Sequence, residues 1–97
     1  MPFFVMIGGD GPNGATLRPT VRPRHLAHLE PLSRAGRVAF AGPIFEDDGR
    51  TPRGSVVVFE APDLAEARAL AARDPYVVEG VFDRWEVRPT TQVFPQT

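Results

Sequence analysis

The chain of 97 residues has no cysteine, and all 11 of its basic residues are arginine, so lysine is absent as well. Without cysteine, disulfides, thiol nucleophiles and thiolate metal sites are excluded. Without lysine there is no amine for Schiff-base chemistry and no Walker-type phosphate lysine. The arginine bias, set beside abundant alanine, reads as genome composition rather than function. Charge of one sign is also missing: 11 basic and 12 acidic residues leave a net charge of -1. Such a balance provides no field to attract DNA, RNA or an anionic membrane, so neither nucleic acid nor membrane is expected as a partner. Long apolar runs are absent too. The N-terminal Met1-Pro2-Phe3-Phe4-Val5-Met6-Ile7 has no basic n-region and is too short for a signal peptide or a membrane span. The expected location is the cytoplasm. No GK[ST], HExxH or nucleophile elbow occurs, and Gly8-Gly9-Asp10-Gly11 reads as a turn rather than a phosphate loop.

What is present fits one domain over residues 1–97, with a tail from residue 90. Hydrophobic content of 42% and charged content of 24% are ordinary for a globular protein. Phe3–Ile7 reads as a strand buried on both faces, closed by Gly8-Gly9, and residues 10–14 carry turn chemistry. Arg24–Ala35 reads as a helix, with Pro23 at its first turn, Gly36 past its end and a stripe of Leu26, Leu29 and Leu32. Pro31 inside it predicts a kink or a break near residues 27–31. Arg37–Ala41 is a second strand, stopped by Gly42-Pro43. Residues 46–53, with Asp48-Gly49, form a hairpin loop, and Ser55–Phe59 is a third strand. Asp63 and Glu66 have capping-box spacing at the start of a second helix, which Asp74-Pro75 ends. After a short turn to Gly80, Val81–Arg88 is a fourth strand that sets Trp85 and Val87 against Arg84, Glu86 and Arg88. Pro89 ends it.

The order β-α-β-β-α-β is that of an α+β, ferredoxin-like fold: a four-stranded antiparallel sheet with two helices on one face. Helices on one side leave the second apolar face of the first and third strands uncovered, too large a patch for a monomer. We therefore expect a homodimer that packs sheet on sheet into a barrel-like interior.

Candidate chemistry centres on Arg22-Pro23-Arg24-His25 and Asp74-Pro75-Tyr76-Val77. On a helical wheel His25 lies roughly 40° from the centre of the leucine stripe and His28 roughly 100°. His25 thus faces the sheet, either as a core histidine bonded to a carbonyl or as a proton-transfer group. His25 and His28 are spaced i, i+3, but a metal site needs three or four ligands and no further set is recognisable, so no metal is expected. Asp74 admits two readings. It either partners His25, set against the unfavourable end of a helix dipole, or N-caps the next turn with Pro75 at its first position.

These pieces, taken with Ala41-Gly42-Pro43, Gly54-Ser55, Gly80-Val81-Phe82 and Val87-Arg88-Pro89, resemble the YciI-like (YCII-related) family along nearly the whole chain. The resemblance implies a dimeric α/β barrel and a His–Asp pair in a pocket, roles that fall to His25 and Asp74. The family looks related to muconolactone isomerase. A few members are linked to dehydrochlorination of chlorinated muconolactone-type compounds, and most have no known substrate. It suggests acid–base chemistry without a cofactor, isomerase- or lyase-like, on a small acidic or lactone-like substrate. In it Asp74 would fix the His25 tautomer and the other imidazole nitrogen would move the proton. Arg22, Tyr76, Gly42 and Pro43 are the candidate substrate-binding residues: Arg22 as a carboxylate clamp or else a surface ion pair, Tyr76 as a hydroxyl or else core packing. The competing functions are a non-catalytic dimeric binding module for a small acidic metabolite and a cofactor-free oxygenase-like barrel, the latter by fold analogy alone.

Overall fold

In the computed structural model, residues 1–96 are described; Thr97, the end of the expected tail, lies outside them. The elements run β1 (Phe3–Asp10), α1 (Gly14–Arg34), β2 (Val38–Phe45), β3 (Pro52–Glu60), α2 (Leu64–Ala72), α3 (Pro75–Val78) and β4 (Phe82–Thr90). The strands form one antiparallel sheet in the order β2-β3-β1-β4. This is the ferredoxin-like βαββαβ arrangement expected from the sequence, with α3 as a single extra turn before the last strand.

Residues alternate along each strand, so every second side chain of the central strands reaches the helical layer. Phe4 and Met6 of β1, Val57 and Phe59 of β3 and Val87 of β4 are buried with Val21 and Leu29 of α1 and Ala67 and Ala71 of α2. The alternate residues Phe3, Val5, Val56 and Val58 are half-buried, and Ile7 is 42% exposed. The open apolar sheet face anticipated from the composition of β1 and β3 is therefore present in the chain.

Element boundaries differ from the sequence reading, and each difference has a physical cause. The first helix begins at Gly14, ten residues before the expected Arg24, and runs unbroken through Pro19, Pro23 and Pro31. All three prolines are exposed. The carbonyls left without an intrahelical partner lie on the same solvent side, where water can satisfy them. Burial of the opposite side outweighs the local defects, so the expected break at residues 27–31 does not occur. The buried stripe is also shifted: Gly14, Arg18, Val21, His25 and Leu29 face inward, Leu32 is half-buried, and Leu26 is 45% exposed.

The strands are longer than expected because three local signals gave way to pairing. Gly8 and Gly9 lie inside β1, paired with Ser55 and Gly54. A Cβ on Gly54 would sit 2.3 Å from the Gly8 carbonyl oxygen, so this crossing of β1 and β3 admits only glycine at residue 54. Pro43 and Pro89 fail to end β2 and β4 because both are edge strands, where a missing N–H removes no essential ladder bond. The third strand starts at Pro52, not Ser55, and the fourth at Phe82, not Val81. The loop between β2 and β3 is fixed by Asp48, whose carboxylate accepts from Arg50 N–H, Thr51 N–H and the Thr51 hydroxyl at 2.8, 2.8 and 2.6 Å. Gly49 there has φ +70°, the left-handed conformation that glycine adopts without strain.

Candidate functional site

The helix stripe sets His25 on the inner face of α1, and the end of α2 delivers Asp74 to it. Arg73 closes α2, and Asp74 takes extended backbone geometry (φ -60°, ψ 129°) as the N-cap of α3, with Pro75 at its first position. The two readings of Asp74 therefore hold together. One carboxylate oxygen accepts from Tyr76 N–H at 2.9 Å, and the carboxylate faces His25 Nδ1 at 2.8 and 3.0 Å. Asp74 is 1% exposed and His25 8%. A buried carboxylate is stable only when hydrogen-bonded, and both of its partners here are donors. In the neutral imidazole Nδ1–H donates to Asp74, which leaves the Nε2 lone pair free.

Tyr76 completes the pair from below. Its ring stacks on the His25 imidazole with centroids 3.9 Å apart and planes inclined by 6°. Phe82 meets Tyr76 edge-on, with centroids 5.6 Å apart. The imidazole is thus held in orientation by Asp74 at one edge and by the Tyr76 face. The packing and functional readings of Tyr76 are not exclusive, since it is buried and also borders a cavity.

That cavity, about 420 Å³, opens between α1 and the β2–β3 end of the sheet, a volume suited to a small molecule. His25, Arg22, Tyr76, Gly42 and Pro43 all border it, whereas Asp74 stands behind His25. Leu26, Pro52 and Phe45 add apolar wall. The residues singled out from two distant segments and from Gly42-Pro43 thus converge on one hollow. Arg22 is exposed and makes no ion pair among the described residues, so the surface-salt-bridge reading finds no partner. His28 faces away from His25: its Nε2 meets the Leu70 carbonyl at 3.0 Å.

One part of the site was not anticipated. Arg18 lies one turn before Arg22 on the buried stripe. Its Nε and Nη2 form a two-point contact with Asp10 at 2.8 and 2.7 Å, and Nη2 also donates to the Gly54 carbonyl at 2.8 Å and the Ser55 hydroxyl at 3.1 Å. The guanidinium stands over the Tyr76 ring, 5.0 Å from its centroid. Placing the helix start at Arg24 hid this residue. A wheel begun at Gly14 puts Arg18 on the stripe of Val21, His25 and Leu29. Burial opposes the Arg18 charge, but the Asp10 hydrogen bonds and carboxylate outweigh it and hold its pKa above the ordinary arginine value. Burial also raises Tyr76, against the opposing pull of Arg18 and Arg22, so the phenol stays protonated at neutral pH. No group of three or more His, Cys, Asp or Glu side chains is placed to hold a metal ion among the described residues.

The ferredoxin-like sheet agrees with what comparison with known proteins finds. The chain belongs to the YCII-related domain family, whose model matches residues 2–91. It is 38% identical to Protein YciI of Escherichia coli O6:H1 over 97 aligned residues, covering 95% of this chain and 99% of that one. An uncharacterised protein of Haemophilus influenzae is 36% identical over the same coverage. Among solved structures, 5-chloro-2-hydroxyhydroquinone dehydrochlorinase of Burkholderia phenoliruptrix AC1100, in complex with 2,5-dihydroxybenzoquinone, superposes with a TM-score of 0.80. It is 26% identical and the match covers 92% of this chain and 93% of that one. An antibiotic biosynthesis monooxygenase at 15% identity and a TM-score of 0.55 shares the fold. No helix among the described residues is long and apolar enough to cross a membrane.

Proposed function

We propose that this protein is a small cofactor-independent enzyme that transfers a proton through the His25–Asp74 dyad, with isomerase or lyase chemistry on a small acidic or lactone-like substrate. The observation that carries this reading is the 2.8 Å contact of His25 Nδ1 with Asp74 in a residue that also borders the cavity; in this reading Nε2 is the base. Asp74 fixes the tautomer and stabilises the imidazolium that forms. His25 Nε2 takes a proton from an acidic C–H or O–H of the substrate, and the bonding pair passes into the adjoining carbonyl or ring. Returning the proton to another carbon isomerises the substrate. Expelling a leaving group with its electron pair completes an elimination, with the proton left on His25 and then lost to water. The dehydrochlorinase relative supports the elimination branch. General acid–base transfer of this kind is worth about 10²–10⁴-fold in rate. Arg22 clamps a substrate carboxylate at the rim, Tyr76 presents its hydroxyl, and Gly42 and Pro43 form the facing wall.

The working unit we propose is a homodimer closed sheet on sheet. The open face of Phe3, Val5, Ile7, Val56 and Val58 supports it, because covering that apolar surface removes it from water. Light scattering at micromolar concentration checks this: the native chain gives twice the monomer mass, Ile7→Glu shifts it to monomer, and a monomeric native chain overturns the dimer.

Chloride release from 5-chloro-2-hydroxyhydroquinone and isomerisation of muconolactone test the chemistry. Turnover that His25→Ala abolishes, with the fold intact by circular dichroism, supports the dyad. Turnover unchanged in His25→Ala refutes it. Binding of these compounds without turnover identifies a non-catalytic binding module instead.

A further inference from the structure

The sheet ends on two edge strands, β2 and β4. The ladder fixes which backbone groups of β4 face outward. Ala61 N–H donates to the Pro2 carbonyl at 3.2 Å, continuing the β1–β3 ladder past the Phe3–Glu60 pair. Hydrogen-bonded and non-hydrogen-bonded pairs alternate along an antiparallel ladder, so a central strand bonds to its two neighbours with alternate residues. Pro2, Phe4 and Met6 of the first strand therefore bond toward β3, and Phe3, Val5, Ile7 and Gly9 toward β4. Their partners there are Thr90, Arg88, Glu86 and Arg84. Trp85, Val87 and Pro89 are left with backbone groups that point away from the sheet. Pro89 has no N–H, and it ends this run of outward donors. Side chains alternate as well. Arg84 and Glu86 share the open sheet face with Gly9 and Ile7, and Arg88 with Val5. All three charged residues are exposed. Glu86 and Arg88 form no ion pair among the described residues, and Arg84 meets only its chain neighbour Asp83, at 3.0 Å. Trp85, the one tryptophan of the chain, is 37% exposed on this edge.

We propose that the β4 edge docks a second copy of this chain, antiparallel, in the register that sets Trp85 against the partner's Trp85. Two like edges meet about a two-fold axis, so each candidate register is named by the residue on that axis. Charge and proline choose among them. An axis at Glu86 opposes Glu86 to the partner's Glu86 and Arg84 to the partner's Arg88, which is like charge throughout. An axis at Arg84 opposes two arginines. An axis at Val87 sets Trp85 against the partner's Pro89 and forfeits a ladder bond. The axis at Trp85 sets Arg84 against the partner's Glu86 and Glu86 against the partner's Arg84, both at the close spacing of non-hydrogen-bonded pairs. The outward N–H and C=O of Trp85 then bond to those of the partner's Trp85. The β2 edge fits a copy less well, because Gly42-Pro43 interrupts it and its register shifts twice. So short an edge holds weakly, with a Kd on the order of 10⁻⁴ M, and the contact forms well above micromolar concentration. It uses neither the cavity nor the apolar face, so it stands apart from the acid–base and sheet-on-sheet readings.

The test isolates the edge in Val58→Glu, which puts a charge on the open face of β3, separated from β4 by β1. Sedimentation of this variant at about 0.5 mM gives twice the monomer mass. Adding Glu86→Arg weakens the association about tenfold or more, and adding Arg84→Glu to that chain restores it, because the exchanged charges again oppose each other. The absence of cysteine lets single-cysteine variants read the register. Under copper–phenanthroline oxidation a mixture of Arg84→Cys and Glu86→Cys chains forms a covalent heterodimer, and neither forms a disulfide with itself to a comparable extent. Charges on an edge strand can instead keep edges apart, and that reading gives a monomer at every concentration and no cross-link. That result overturns the proposal, as does a mass indifferent to the charge exchange, or a Glu86→Cys chain that cross-links to itself. A mass that grows without limit assigns the edge to β2 of the next copy and also overturns it. A native chain that is monomeric at micromolar concentration removes the sheet-on-sheet dimer and leaves this contact standing.

Discussion

Replacing Asp74 by Asn separates the two tasks that one carboxylate performs. In the native chain Asp74 caps α3 through Tyr76 N–H at 2.9 Å and accepts from His25 Nδ1–H at 2.8 Å. The Asn oxygen can keep the cap. The same oxygen is the one 2.8 Å from His25 Nδ1, but the amide NH2 takes the place of the second oxygen at 3.0 Å, so a donor now faces Nδ1–H and favours the tautomer with its proton on Nε2. The predicted result is a folded protein with the wrong tautomer. Retaining the cap and a neutral hydrogen bond limits the stability loss to about 1 kcal/mol, or about 4–8 °C in Tm for a chain of this size. Turnover falls by about 10²–10⁴-fold, because the nitrogen facing the cavity now carries a proton instead of a lone pair. Asp74→Ala removes both contacts from a residue that is 1% exposed. It sacrifices the cap and a charge-assisted hydrogen bond, together about 3–4 kcal/mol, and a Tm lower by roughly 12–30 °C. Long-range ¹H–¹⁵N correlation of the His25 ring reads the tautomer directly, and thermal melts read the stability. The reasoning is refuted if Asp74→Asn keeps the proton on Nδ1, or if it turns over substrate within twofold of the native rate.

Two further outcomes follow from the geometry. Gly54→Ala places a Cβ against the Gly8 carbonyl oxygen and must push β1 and β3 apart, at a cost of about 1–3 kcal/mol measured by urea unfolding; an unchanged midpoint contradicts the close approach. The raised Tyr76 pKa predicts an alkaline loss of stability. The unfolded chain releases this proton first, near pH 10, so the contribution is complete below that value and declines as pH rises through the higher folded pKa. Tyr76→Phe keeps the ring stacked on His25 and should flatten the stability profile above pH 10; an equal slope in native and variant proteins rejects this assignment.

The sequence made the class of fold legible through pattern. Apolar runs of strand length, two helical segments and turn residues between them specify βαββαβ, and the apolar character of both faces of β1 and β3 anticipates an open sheet face. It also identified the helix starts that depend on short-range chemistry. The Asp63 side chain accepts from Glu66 N–H at 2.8 Å as its spacing implies, and Asp74 caps α3. Local rules failed where a neighbour in space outweighed a neighbour in sequence. Pro19, Pro23 and Pro31 argue against one long helix, but burying one face of α1 offsets exposed defects on the other. Pro43 and Pro89 argue against strands, but edge positions tolerate them.

The candidate site divides in the same way. The sequence by itself determined that His25 lies near an inward-facing stripe, that Asp74 sits at a helix boundary, and that an arginine and a tyrosine stand beside them. Periodicity and capping act over a few residues, and those relations need nothing more. Only the tertiary structure decided that residues 49 positions apart meet at 2.8 Å, that Tyr76 stacks under the imidazole, and that Arg18, Asp10, Gly54 and Ser55 interlock at the far end of the same hollow. Those contacts depend on how the early start of α1 sets its rotation over the sheet, and on the pairing of β1 with β3. Both are settled by burial of the whole chain rather than by any local run of residues.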